Sequence, residues 1–224
     1  SQGCPARATV RLAKRPELIA PVKVGLMVPI NNTTMESEVL AWLPEGSTCN
    51  TLRIPRGEGL LTTETLPAYK AQALSLAARF ASPDIDVVAY GCTAAGFISG
   101  PAGDAQLARE LAEITGKPVV TTARSMVLGL QESGARDIAL VTPYLDAVNL
   151  QLKAFLADGG IRVRRFNSFH AANVDELGRI QSDAVARLAR ATMDDHCDAL
   201  FVACAQLPTY AILDELRREF RRPV

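Results

Sequence analysis

The sequence has no run of apolar residues near the roughly 18 that a membrane-spanning helix needs, so we expect no insertion into a membrane. It also has no excess of charge of either sign, since 24 lysines and arginines balance 24 aspartates and glutamates. A chain without net charge lacks the basic field that draws proteins to nucleic acid or to anionic lipid. These absences favour a small-molecule partner.

Signatures of common cofactor and metal sites are missing as well. We find no glycine-rich dinucleotide fingerprint, no P-loop, no HExxH motif and no EF-hand loop. The five cysteines are Cys4, Cys49, Cys92, Cys197 and Cys204. No two of them form a CxxC pair, which argues against a zinc site and a disulfide framework. We therefore expect reduced thiols in a cytoplasmic protein, and chemistry without a cofactor or a metal.

Residues 1–20 contain basic side chains but no apolar segment of the kind found in secretory signals. We interpret this stretch as a mobile tail.

From Val22 onward, short apolar runs alternate with helical patterns. Strands are predicted at Val22–Val28, Thr48–Ile54, Val87–Gly91, Pro118–Val120, Asp137–Thr142, Ile161–Phe166 and Ala199–Ala203. Helices include one over 67–81, with Leu74, Ala77, Ala78 and Ala81 on one face, and a long one striped by Leu177, Ile180, Ala184, Leu188 and Ala191. Such alternation is typical of an α/β fold with parallel sheets.

The second half repeats landmarks of the first. Pro29 recurs as Pro143 and Cys92 recurs as Cys204 at nearly the same separation, and Lys117-Pro118-Val119 resembles Arg222-Pro223-Val224. The second copy reaches Val224 without a counterpart of the strand and helix that follow Pro118 in the first. We predict two pseudo-symmetric βα domains, 21–122 and 123–224, with the active site in the cleft between them.

Cys92 and Cys204 each end a predicted buried strand, where ligands bind in open α/β sheets. Amides at a helix start lower the pKa of a thiol, so the pattern predicts an activated pair. Cys49 and Cys197 are better explained as small core residues.

Other polar residues near strand ends have structural explanations that remain open. Asn32 can cap a helix or form an Asx turn, and Asn173 fits an N-cap with Glu176 as its partner. Tyr144 is equally well explained as a core aromatic. Arg53 and Arg56, beside Gly57 and Gly59, could meet a carboxylate but are more typical of solvent-exposed side chains.

The sequence resembles the aspartate/glutamate racemase superfamily, and within it the maleate cis-trans isomerases. The motifs that carry the resemblance are Val28-Pro29-Ile30-Asn31-Asn32-Thr33-Thr34-Met35-Glu36, Tyr90-Gly91-Cys92-Thr93, Val141-Thr142-Pro143-Tyr144 and Ala203-Cys204-Ala205-Gln206-Leu207-Pro208. The resemblance implies Cys92 and Cys204 as the catalytic pair. It further implies that the substrate carboxylates are held by Asn32, Tyr144, Asn173 and the amides near Thr93 and Ala205.

The related arylmalonate decarboxylases are similar around Thr93 and Cys204 but have glycine where this chain has Cys92, which speaks against decarboxylation. The resemblance implies that maleate is converted to fumarate through a covalent adduct with a cysteine. An amino-acid or hydantoin racemase, using the two cysteines as acid and base, is the first alternative. A thiol-based binding or redox-sensing protein is the second, and the sequence leaves room for a homo-oligomer.

Overall fold

The computed structural model describes residues 20–57 and 59–224, and in them the chain forms two parallel sheets. The predicted tail, residues 1–20, lies outside the described residues except for Ala20. The first sheet has four strands in the order β2-β1-β3-β4, and the second has three in the order β6-β5-β7. The predicted α/β fold with two βα units is confirmed.

The first unit begins with β1 (Lys23–Pro29), α1 (Met35–Trp42), β2 (Thr48–Ile54) and α2 (Leu66–Ala77). It continues with β3 (Val87–Tyr90), α3 (Thr93–Ile98), α4 (Gly100–Thr115) and β4 (Val119–Thr121). The central strand β1 is buried from Val24 onward because helices cover both faces of a parallel sheet.

The second unit begins with α5 (Thr122–Glu132), β5 (Asp137–Thr142), α6 (Asp146–Asp158) and β6 (Arg162–Ser168). It ends with α7 (Val174–Gly178), α8 (Ser182–Thr192), β7 (Ala199–Val202) and α9 (Tyr210–Phe220). Met126 and Leu130 of α5 pack in one apolar cluster with Ile138 and Leu140 of β5. We therefore propose that the domain boundary lies at 122/123.

The repeat predicted from sequence is visible in the backbone contacts. Val88 N in β3 donates to Pro118 O, and Leu200 N in β7 donates to Pro223 O in the same way. Among the described residues, no helix is both long enough and apolar enough to cross a membrane.

The helix prediction over 67–81 was right for Leu74 and Ala77, which contribute to the core, but wrong for Ala78 and Ala81. Helix α2 ends at Ala77 and buries Tyr69, Ala73 and Ala77, whereas Ala78 and Ala81 are exposed. The predicted stripe counted small alanines as core residues and left out the one aromatic side chain of the helix. The buried face of α2 therefore carries the phenol of Tyr69.

The long helix predicted over 177–191 was also wrong, since two helices occupy this stretch. Helix α7 ends at Gly178, and Gln181 adopts an extended conformation before α8 begins at Ser182. The break shifts the buried face of α8 to Val185, Ala186 and Ala189, so that Ala191 is exposed.

Candidate active site

Cys92 lies between β3 and α3, at the carboxyl edge of the first sheet. Its backbone is extended and immediately precedes α3, as the strand-then-helix pattern predicted. Gly91 lets the chain pack closely against β1 and α1, because a Cβ at that position would come within 2.5 Å of Met35 Sδ and 3.0 Å of Met27 O. The thiol is buried, with 5% of the residue exposed.

Cys204 follows β7 at the corresponding edge of the second sheet, but its backbone differs from that of Cys92. Its φ of 104° lies in the left-handed region, which a residue with a side chain adopts only at a cost of about 1–3 kcal/mol. A turn follows instead of a helix, closed by Leu207 N donating to Cys204 O. The residue is only half-buried.

A small cavity of about 40 Å³ joins these two strand ends. The residues that line it include Cys92, Thr93, Cys204, Ala205, Asn32 and Tyr144. The structure thus brings together six of the seven residues that the resemblance implied. Asn173, the seventh, is not among the lining residues, although Leu177 of the same helix is.

Asn32 is buried and its side chain holds the loop between β1 and α1. Its Oδ1 accepts hydrogen bonds from Thr34 N at 3.1 Å and Met35 N at 2.9 Å, so the Asx-turn interpretation is confirmed. Its Nδ2 donates no hydrogen bond within the described part of the chain. The local turn therefore orients the amide and leaves a neutral donor beside the cavity.

Tyr144 is buried and packs edge-on against Phe97, with ring centroids 5.4 Å apart. Its carbonyl accepts from Asn149 Nδ2 at 2.7 Å and from Ser168 Oγ at 2.6 Å, which fixes the loop after β5. Burial raises the pKa of its hydroxyl well above the ordinary value, and interaction with Cys204 adds to the rise. Tyr144 is thus both a core aromatic and a neutral donor at the Cys204 side of the cavity.

Asn173 caps α7, as its sequence context predicted. Its Oδ1 accepts from Asp175 N at 3.1 Å and from Glu176 N at 3.0 Å. Glu176 closes the cap from the other side by accepting from Ala172 N at 2.7 Å.

Both thiols have raised pKa values, contrary to the expectation that helix-start amides would lower them. Burial is the largest influence and raises the pKa of Cys92 and of Cys204. Backbone amides oppose it at the same offsets in both loops, Ala94 and Ala95 for Cys92 and Gln206 and Leu207 for Cys204. The sequence argument included the amides but not the loss of hydration, which is the larger effect here.

Tyr69 is a site residue that the sequence analysis missed. Its hydroxyl is buried without a well-formed hydrogen bond in the described residues, and it lies close enough to Cys92 to affect its acidity. Burial, followed by the interaction with Cys92, raises the pKa of the phenol. Each thiol therefore has a tyrosine beside it, Tyr69 for Cys92 and Tyr144 for Cys204. Tyr69, Ala73 and Ala77 follow one another at intervals of four residues, and this spacing could have indicated that Tyr69 lies on the inward face of α2.

Gln206 is a second residue that was missed, and it connects the two units across the cavity. Its Oε1 accepts from Thr33 N at 2.9 Å, and its Nε2 donates to Thr33 Oγ1 at 3.0 Å. Nearby, the Glu38 carboxylate accepts from Thr209 N at 2.7 Å and from Tyr210 N at 2.9 Å at the start of α9. These contacts fix the Asn32 loop against the Cys204 turn.

Arg53, in β2, and Arg56, just after it, both contact other parts of the site. Arg53 Nη1 donates to Asn32 O at 2.6 Å and so supports the Asn32 loop, while its Nη2 pairs with Glu36. Arg56 is half-buried and lines the cavity. The expectation that both face solvent was wrong for Arg56, because the segment after β2 folds back over the strand ends.

Two further cysteines and two histidines are not among the residues that line the cavity, namely Cys49, Cys197, His170 and His196. Cys197 is buried in the core of the second unit, as predicted, and burial raises its pKa to about 11. Cys49 is half-buried on β2, while His170 and His196 are exposed. In the described residues, no three histidine, cysteine or acidic side chains are grouped closely enough to hold a metal ion.

Comparison with curated proteins finds relatives of two activities. The chain is 28% identical over 210 residues to the maleate isomerase of Nocardia farcinica, covering 90% of this chain and 84% of that protein. It is 30% identical over 172 residues to the arylmalonate decarboxylase of Bordetella bronchiseptica, covering 75% of this chain and 71% of the other.

Solved structures of such proteins have a similar fold. The Nocardia farcinica maleate cis-trans isomerase, as a cysteine-to-serine variant with a covalently bound succinylcysteine intermediate, superposes with a TM-score of 0.81. That pair is 26% identical and covers 92% of this chain and 87% of the other. The family model described as arylmalonate decarboxylase matches residues 24–224. The relatives named maleate isomerase confirm the resemblance found in the sequence, and the chain belongs to the arylmalonate decarboxylase family.

Proposed function

We propose that this protein is an isomerase that converts maleate to fumarate through a covalent adduct with a cysteine, without a cofactor. The observation that carries the proposal is the pair of thiols, Cys92 and Cys204, that line one small cavity from two sheet edges. Relatives named maleate isomerase and a relative trapped as a succinylcysteine support the same chemistry. The decarboxylase alternative is disfavoured because this chain has a thiol at Cys92.

The reaction needs a temporary single bond between the two olefinic carbons, since rotation about a double bond is too slow. The thiolate of Cys92 adds to one carbon, and the Cys204 thiol gives its proton to the other, which leaves a succinyl thioether. After rotation about the new single bond, the Cys204 thiolate removes that proton. The carbon–sulfur bond then breaks, its electron pair returns to Cys92, and fumarate is released.

The surroundings of the two thiols support this division of roles. Arg56 lowers the pKa of Cys92, while the charge of Cys92 raises the pKa of Cys204, although burial raises the pKa of both thiols more than either charge changes it. We therefore assign the thiolate to Cys92, the thiol that the charge of Arg56 favours. We assign the acid to Cys204, because burial and the charge of Cys92 raise its pKa, although the hydrogen bond with Tyr144 lowers it.

Neutral donors support the binding of a small dicarboxylate. Asn32 Nδ2, the Tyr144 hydroxyl and the amides near Thr93 and Ala205 are assigned to the carboxylates, where they also stabilise negative charge that develops during addition. Asn173 caps α7, and its role in binding substrate stays a prediction. We infer a cytoplasmic location, because the two thiols must remain reduced to react.

The test is incubation of the protein with maleate and, separately, with L-aspartate in deuterated water. We expect fumarate from maleate and no deuterium at the α-carbon of aspartate. Deuterated aspartate without fumarate would instead support the racemase, and neither product would support a thiol-based sensor. Release of carbon dioxide from an arylmalonate would support a decarboxylase.

A further inference from the structure

We propose that Arg56 is a substrate-binding residue whose guanidinium pairs with one carboxylate of the substrate, and that it determines the preference for dicarboxylates over amino acids. The proposal rests on the proposed function, since it assigns a partner to the dianion that the isomerase would bind. It concerns a residue that no motif of the sequence marked.

The position of Arg56 supports this role. The residue follows β2 and reaches back to the cavity, where its Nη2 donates to Gly59 O at 2.6 Å. Its Nε is buried and has no hydrogen-bond partner among the described residues. A buried donor without an acceptor is costly, and the forked donors of a guanidinium match a carboxylate. A bound carboxylate would supply the missing acceptor.

The charge of the cavity points the same way. Of the described residues that line it, Arg56 alone has a charged side chain. The other polar lining residues are neutral, namely Asn31, Asn32, Thr93, Tyr144, Cys92, Cys204 and Gln206. A dianion taken out of water needs a counter-charge, and the cavity offers one cation. None of the described lining residues offers a carboxylate to a substrate ammonium.

Arg56 also lies within electrostatic reach of the reacting atoms. Its charge is among the influences that lower the pKa of Cys92 and of Tyr144, against the larger effect of burial. The two residues lie on opposite units, so the guanidinium acts on both sides of the cavity. A carboxylate paired with it would sit between them.

The first experiment compares alkylation of Cys92 by iodoacetate, an anion, and by iodoacetamide, its neutral analogue, read by peptide mass spectrometry. Both reagents attack the same thiolate, so changes in its acidity or accessibility cancel in the ratio of the iodoacetate rate to the iodoacetamide rate. This ratio therefore reports the local charge. We expect Arg56→Met to lower this ratio about 10-fold, as loss of one nearby charge in a partly buried site would. Arg56→Lys should keep most of the ratio seen in the unaltered protein. Arg79→Met, at an exposed arginine outside the cavity, should leave the ratio unchanged. An unchanged ratio in Arg56→Met overturns the proposal.

The second experiment uses the unaltered protein, so it does not depend on a variant that folds. Succinate, an unreactive dicarboxylate, should protect Cys92 from iodoacetamide, and its neutral dimethyl ester should not. Equal protection by the ester would overturn the proposal. Protection by succinate without any fumarate from maleate would support the role of Arg56 and contradict the proposed function.

Activity supplies the third readout. In Arg56→Met we expect the KM for maleate to rise about 10- to 100-fold, because a charge-assisted hydrogen bond to the substrate is lost. Arg56→Lys should fall between this variant and the unaltered protein, since lysine keeps the charge but not the fork. A KM for maleate that is the same in all three proteins would overturn the proposal.

Discussion

The loops that carry Cys92 and Cys204 occupy equivalent places in the two units, yet they differ in backbone and in surroundings. Cys92 precedes a helix in relaxed, extended geometry, whereas Cys204 has a φ of 104° and precedes a turn. Even so, the backbone amides two and three residues further along the chain lower the pKa of each thiol. The two loops thus place amides at the same offsets from the cysteine although their backbones differ.

The charges around the two thiols differ as well. Arg56 is among the groups that lower the pKa of Cys92, whereas the charge of Cys92 is among those that raise the pKa of Cys204. Two similar thiols thereby become unlike, one suited to attack as an anion and the other to donate a proton. This asymmetry is the basis of the role assignment and can be tested from the largest effect to the smallest.

The largest effect is expected for Cys92→Ser. A serine hydroxyl is not ionised near neutral pH, so turnover should be abolished while the circular dichroism spectrum stays the same. Fumarate formation from maleate is the measurement. Retention of a tenth of the activity would show that Cys92 is not the nucleophile.

Cys204→Ala should also stop product formation, but for a different reason. Cys92 remains, so it should still react with iodoacetamide, while the proton donor is gone. Intact-mass and peptide analysis should show Cys92 as the fastest-labelled thiol and Cys197, with a pKa of about 11, as the slowest of the three described cysteines that remain. Equal labelling of Cys92, Cys49 and Cys197 would remove the argument that its position activates Cys92.

The pH dependence tests the order in which the thiols ionise. Burial raises the pKa of both, so catalysis should increase with pH as Cys92 loses its proton and decrease once Cys204 loses its own. We expect a bell-shaped profile of kcat/KM with its maximum on the alkaline side of neutrality. Arg56→Met should move the rising limb to higher pH. A profile that falls from neutral pH upward would contradict the assigned roles.

Gln206→Ala should have a smaller effect, because it removes the hydrogen bonds to Thr33 without touching either sulfur. The Asn32 loop would lose its tie to the Cys204 turn. We expect a several-fold rise in the KM for maleate and a loss of about 1–2 kcal/mol in the free energy of unfolding. Gln181→Ala, at an exposed glutamine before α8, is the matched control. Equal KM values would show that the tie does not position the site.

Asn173 gives the smallest expected change and separates capping from binding. Asn173→Ala should lower the free energy of unfolding by about 1 kcal/mol, whereas Asn173→Ser should keep the cap. If Asn173 only caps α7, both variants keep the KM of the unaltered protein. A KM for maleate that rises in both, measured beside thermal unfolding, would support the predicted contact with substrate.

The sequence by itself determined the architecture, and it predicted which strand ends carry the site. Apolar strands alternating with helices, and a cysteine at the end of two of them, were enough to predict parallel sheets and a site at Cys92 and Cys204. This works because the succession of strands and helices along the chain, and the position of a residue at a strand end, follow from local periodicity. Asn32 and Asn173 were also assigned their capping roles from neighbouring residues alone.

Only the tertiary structure decided what surrounds the two sulfur atoms. Tyr69 comes from α2, Arg56 from the segment after β2, and Gln206 binds a residue of the other unit, so no local spacing relates them to the thiols. The acidity of Cys92 and Cys204 is likewise set by burial, which depends on how the two units close over the cavity. The hydration of each thiol and the electric field of distant charges at its sulfur depend on how the molecule packs, so neither can be derived from the order of residues along the chain.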